Sequence, residues 1–73
     1  MNETLLMKMY LAERLALLLI EDNPQMSLEQ ALSTVFNSDT YQKIQNENTH
    51  LYSQSPYYVY SFLDTELKTG KMA

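Results

Sequence analysis

No cysteine occurs in this chain of 73 residues, and there is only one glycine and one histidine. Each scarcity removes a class of chemistry. Without cysteine there is no disulfide to staple the fold and nothing that marks a secreted disulfide scaffold. A structural zinc site wants four Cys or His ligands, and His50 alone cannot supply them. With Gly70 as the sole glycine, no Gly-rich loop is present to cradle a nucleotide phosphate. Positive charge is sparse as well. Lys8, Arg14, Lys43, Lys68 and Lys71 are scattered against nine acidic residues, giving a net charge of −4. Nucleic-acid binding rests on clustered Lys and Arg, so nucleic acid is not an expected partner. Long apolar runs are missing too, because Lys8, Glu13 and Arg14 interrupt the most apolar stretch. Nothing approaches the roughly 18 residues that suggest a membrane span. The opening Met1-Asn2-Glu3-Thr4 is acidic where a signal peptide is basic. Together these absences predict a soluble cytoplasmic protein with no membrane association, no metal and no cofactor.

What the chain does have is an unusually apolar first helix, predicted from Glu3 or Thr4 to about Asp22 and closed by Leu15-Ala16-Leu17-Leu18-Leu19-Ile20. At 100° per residue, Leu5, Met9, Ala12, Ala16, Leu19 and Ile20 form one stripe. Leu6, Tyr10 and Leu17 widen it on one side, and Leu11, Leu15 and Leu18 on the other. Glu3, Arg14 and Glu21 make a narrow polar seam, with Lys8, Glu13 and Asp22 isolated. A helix apolar nearly all round must be covered nearly all round. One domain over residues 1–73 buries only about 60% of its unfolded surface and is marginal alone. With disulfides and zinc excluded, oligomerisation is the remaining device. The first helix is therefore expected to carry a subunit contact, with Leu5, Met9, Leu11, Leu15 and Leu18 as its candidate interface residues.

Asn23-Pro24 should end that helix, since proline disfavours α geometry in the residue before it. Ser27 and Gln30 have the spacing of a capping box. Leu28, Ala31, Leu32, Val35 and Phe36 follow at i, i+3, i+4, i+7 and i+8, which predicts an amphipathic second helix with a single buried stripe. Asn37-Ser38-Asp39 punctuates the chain. A short third helix from Asp39 to about Gln45 should turn Tyr41 and Ile44 inward. Asn46 to Gln54 is irregular, with Leu51 and Tyr52 as anchors. Ser55-Pro56 opens a last helix, with serine as cap and proline at the first helical position. Val59, Phe62, Leu63 and Leu67 share one face, Tyr60 lies beside it, and Gly70 is a plausible C′ residue. Tyr57-Tyr58-Val59-Tyr60 would also suit a strand by propensity, but the cap, proline and spacing favour helix. The predicted class is all-α: a small bundle of three or four helices.

Three ordered elements resemble a family of very short bacterial proteins of unknown function. They are Asn37-Ser38-Asp39-Thr40-Tyr41-Gln42-Lys43-Ile44, then Thr49-His50-Leu51-Tyr52, then Gln54-Ser55-Pro56-Tyr57-Tyr58-Val59-Tyr60. The similarity runs from Ser27 to Leu67, more than half the chain. His50 departs from the pattern, which has glycine there. If that glycine supplies a left-handed turn, histidine must bear strain. Members of the family sit beside small toxin-like proteins, including some resembling ADP-ribosyltransferase toxins. The resemblance thus implies an antitoxin-like or accessory role, an association that carries no mechanism.

Catalytic constellations are thin. Histidine is the usual general base of a catalytic triad, and Glu47, Ser53 and Ser55 lie near His50 in sequence. No nucleophile-elbow motif supports a triad, and a surface histidine is the simpler reading. Glu13, Glu21, Asp22, Asp64 and Glu66 read as solvated or helix-end charges. Helices two and three, joined at Asn37-Ser38, invite a helix-turn-helix alternative in which Gln42, Lys43, Gln45 and Asn46 meet base edges. The basic flank that such a regulator needs is absent. Tyrosine is the positive signal: Tyr52, Tyr57, Tyr58 and Tyr60 fall within nine positions. Adjacent helical residues lie 100° apart, so at least one of Tyr57, Tyr58 and Tyr60 must point away from the core. Tyrosine is enriched at interfaces, which adds Tyr52, Tyr57 and Tyr58 to the candidate contact residues. The functional expectation is a non-enzymatic protein-interaction module, homo-oligomeric or bound to a co-encoded protein.

Overall fold

A computed structural model describes residues 2–70. It contains four α-helices and no strand among those residues: α1 (Glu3–Asp22), α2 (Leu28–Phe36), α3 (Asp39–Gln45) and α4 (Pro56–Thr69). Two single 3₁₀ turns, Glu47–Thr49 and Leu51–Ser53, join α3 to α4. The all-α bundle expected from the sequence is what forms, and residues 57–60 are helical.

Local chemistry sets the boundaries. Asn2 caps α1, its side-chain oxygen accepting the Leu5 N–H at 2.7 Å. Asn23 closes α1 by donating its backbone N–H and its amide to Leu19 O, each at 2.9 Å. The capping box on α2 is complete in both directions, between Ser27 and Gln30. Ser38 caps α3 and Ser55 caps α4, each accepting an N–H three residues on. Gly70 ends α4 at φ +83°, where the missing Cβ removes the steric cost.

The core is one cluster formed by Leu11, Ala12, Leu15, Ala16 and Leu19 of α1, Ala31 and Val35 of α2, Ile44, Leu51, and Val59 and Leu63 of α4. The buried arc of α1 is therefore rotated from the predicted stripe and centred on Leu15. Leu5 and Met9, placed in the central stripe, are exposed. Met9 lies at the rim of a groove that α1 shares with Leu28, Leu32, Phe36 and Tyr41, whereas for Leu5 the reason is length. Twenty residues of α1 make a rod of about 30 Å, and the nine of α2 span only about 14 Å, so α2 covers less than half of it. Lys8, expected as an isolated charge, is buried inside the arc. Its ammonium reaches Gln45 O at 3.3 Å and Glu47 Oε2 at 3.4 Å. That carbonyl lies at the C-terminal end of α3, where the helix dipole favours a cation.

Three further expectations need correction. The α2 stripe is not uniformly buried: Ala31 and Val35 are, whereas Leu28 and Phe36 are about half exposed at its outer edge. Leu67 is also exposed, near the end of α4, so the inner face of that helix rests on Val59 and Leu63. Glu66 is no solvated charge. It accepts the Asp39 N–H (2.7 Å), the Thr40 N–H (2.8 Å) and the Thr40 hydroxyl (2.8 Å), capping α3 from across the bundle. Burial alone would push its carboxyl up, but these three donors outweigh burial and hold it below its ordinary value.

Candidate interaction surface

The outer side of α1 presents Leu6, Met9, Tyr10 and Leu17, each between 38 and 60% exposed. Apolar grooves flank this ridge. On one side Leu6, Met7 and Tyr10 face Tyr52 and Pro56 across a groove of about 330 Å³. On the other, Met9, Ala12, Glu13 and Leu17 face Leu28, Leu32, Phe36 and Tyr41 across about 410 Å³. The second groove has a firm wall: Phe36 packs edge-on against Tyr41 with ring centroids 5.1 Å apart. The Tyr41 hydroxyl accepts the Gln45 amide at 2.7 Å, which holds that ring in place. Leu6, Met9, Tyr10, Leu17, Leu28 and Phe36 together expose the equivalent of three complete side chains. At about 200 Å² for each large side chain, this is roughly 600 Å² of apolar surface. Charge on the ridge is limited to Glu13 within it, with Glu3, Glu21 and Arg14 along its far edge.

The predicted interface residues divide three ways. Leu11, Leu15 and Leu18 are buried within the chain's own fold, so they are core and are not available to a second subunit. Leu5 is exposed near the start of α1, and Met9 is exposed at the rim of the second groove. Tyr57 and Tyr58 are 68% and 52% exposed, and Tyr52 is half-buried beside the first groove. Tyr58 meets Phe62 edge-on at 5.1 Å, leaving Tyr57 the more open of the two. Tyr60 is spoken for: its hydroxyl donates to Asp22 at 2.6 Å, and burial together with that carboxylate raises its pKa. Leu6, Tyr10, Leu17, Leu28 and Phe36 were not singled out as contact residues. The available signal was the mismatch in helix length, which leaves apolar positions of α1 uncovered.

The other candidates do not converge. His50 is exposed, and Ser53 Oγ donates to its backbone oxygen at 2.9 Å. Ser55 is committed to capping Tyr58, and Glu47 lies against Lys8. His50 occupies the left-handed region, at φ 55° and ψ 18°, where a side chain carries a steric cost that glycine does not. On α3, Gln42 and Lys43 are exposed. Gln45 is engaged by Tyr41, and Asn46 caps the following turn. No group of three or more metal-ligating side chains gathers among the described residues. No helix there is long and apolar enough to cross a membrane. Comparison of the chain with protein-family models, curated proteins and solved structures gave no match.

Proposed function

We propose that this chain is a non-enzymatic protein-interaction module. It works through the outer face of α1 and the grooves beside it, as an antitoxin-like or accessory partner of a co-encoded protein or of itself. The observation that carries the reading is the apolar patch of roughly 600 Å², at the upper limit of what monomeric surfaces expose. Its composition fits the role, because two aromatic and four large aliphatic side chains sit in a mostly uncharged centre with acidic residues at the edge. The two carboxylates and one guanidinium at that edge lie where charges tune association without dominating it.

The test uses Tyr10→Glu and Leu17→Glu, both at exposed positions that leave the core intact. Circular dichroism should match the wild type. Affinity for the protein encoded beside it, or for itself, should fall at least about tenfold. If both variants bind as the wild type does, this face is not the functional surface.

A further inference from the structure

We infer that Leu6, Tyr10, Glu13 and Leu17 form a self-complementary seam through which two copies pair as antiparallel α1 helices about a two-fold axis. This rests on the interaction-module reading and narrows it to one partner and one register. At 100° per residue the four positions fall within about 60° of arc on the outer side of α1. Their spacing is four, three, four, the rhythm of a coiled-coil seam. That spacing reads the same from either end. Reversal about the midpoint between positions 11 and 12 exchanges Leu6 with Leu17 and Tyr10 with Glu13.

Charge chooses the orientation. A parallel pair would set Glu13 against the partner subunit's Glu13, two carboxylates within an apolar contact. The antiparallel pair instead sets the Tyr10 hydroxyl, a donor, against the partner subunit's Glu13 carboxylate, an acceptor, and does so twice. Among the described residues Glu13 makes no ion pair and its carboxylate accepts no side-chain hydrogen bond. An isologous contact of this kind uses the same patch on both subunits. Its roughly 600 Å² of apolar surface per chain approaches the about 800 Å² per partner of a standard interface. Met9, Leu28 and Phe36 widen the contact on one flank. At each end Glu3 lies near the partner subunit's Glu21, and each chain brings a charge of −4. Screening of these like charges should tighten the dimer as salt is added.

The chain has no cysteine, so introduced thiols report the register directly. In Leu6→Cys/Leu17→Cys the two positions are about 16 Å apart along one helix, beyond disulfide reach within a chain. Mild oxidation of the purified double variant should give a covalent dimer that reductant dissolves. Leu6→Cys alone and Leu17→Cys alone should stay uncross-linked. Sedimentation equilibrium of the unmodified chain, which needs no variant to fold, should give a dimer that tightens from low to moderate salt. Cross-linking of Leu6→Cys alone would mean a parallel pair and overturn the inference. So would a dimer in which the double variant fails to cross-link, or an 8.5 kDa species at every concentration. These failures leave the interaction-module reading standing as long as Tyr10→Glu and Leu17→Glu still abolish binding to a different protein. Only indifference of every assembly to those two variants removes the reading itself.

Discussion

Replacing Glu66 with alanine should cost far more than its place on an exposed-looking helix suggests. The side chain leaves α4 to satisfy three donors at the start of α3, two of them on Thr40, a residue with no solvent exposure. Water cannot replace the lost acceptor at Thr40, and an unsatisfied buried donor costs about 1–3 kcal/mol. The Asp39 N–H lies at the surface and can turn to water, so its share is small. The expected loss for Glu66→Ala is about 2 kcal/mol, comparable to removal of a strong N-cap. Glu66→Gln keeps one carbonyl oxygen for Thr40 but presents an amide to Asp39, so it should lose about half as much. The sign of the pH dependence follows from the depressed carboxyl. Its folded pKa is below the ordinary 4.5, so the contribution is fully present above that value. It disappears as pH falls through the folded pKa. Urea titrations of wild type and both variants, at neutral pH and near about pH 3, check this. The gap between wild type and Glu66→Ala should shrink in acid. A neutral-pH loss below about 0.5 kcal/mol, the range of ordinary surface changes, would refute the reasoning, as would a gap that does not change with pH.

Leu19→Asp should destabilise by at least about 3 kcal/mol, because it places an unpaired carboxylate in the core, whereas exposed Lys43→Ala should stay within about 0.5 kcal/mol. Equal urea midpoints for the two would show the core to be misplaced. At His50, valine should cost about 1–2 kcal/mol, since a β-branched side chain resists the left-handed region. Glycine there should cost nothing, as relief of strain offsets its greater unfolded-state freedom; thermal melts giving the reverse order would reject strain at this turn.

Which features were legible in the sequence depended on the reach of the interaction. Ser27 with Gln30, Ser38, Ser55 with Pro56, and Gly70 announced helix ends correctly because caps are settled within four residues of chain. The rotation of α1 was not legible. A helix apolar on almost every side has no preferred arc by periodicity, so the choice falls to packing against α2, α4 and the 51–53 turn. Lys8 was misplaced for the same reason, since its partners are 37 and 39 residues away. Glu66 acts at separations of 26 and 27 residues, and nothing in its neighbourhood marks it. The exposed edge of α2 was hidden by the regularity of its apolar spacing. That pattern shows which positions share a face, but not whether a neighbouring helix is long enough to cover it.

The long-range polar contacts explain why α1 keeps one rotation when its apolar pattern would allow several. Lys8 ties α1 to the C-terminal end of α3, Glu66 ties α4 to the N-terminal end of α3, and Tyr60 ties α4 to the last turn of α1. These links close a ring of three helices, and each runs to a different end of an element. Individually such bonds to charged groups contribute at most about 1.5–3 kcal/mol once desolvation is counted, and less where they are exposed. Turning α1 about its axis would nevertheless pull Lys8 and Asp22 from their partners, so the alternatives lose these polar contacts. The ring thus decides which apolar residues remain outside. Leu6, Met9, Tyr10 and Leu17 are left facing outward on a helix that is held from the other side. A surface held in this way loses little conformational freedom on association, which is the condition under which a patch of modest area binds usefully.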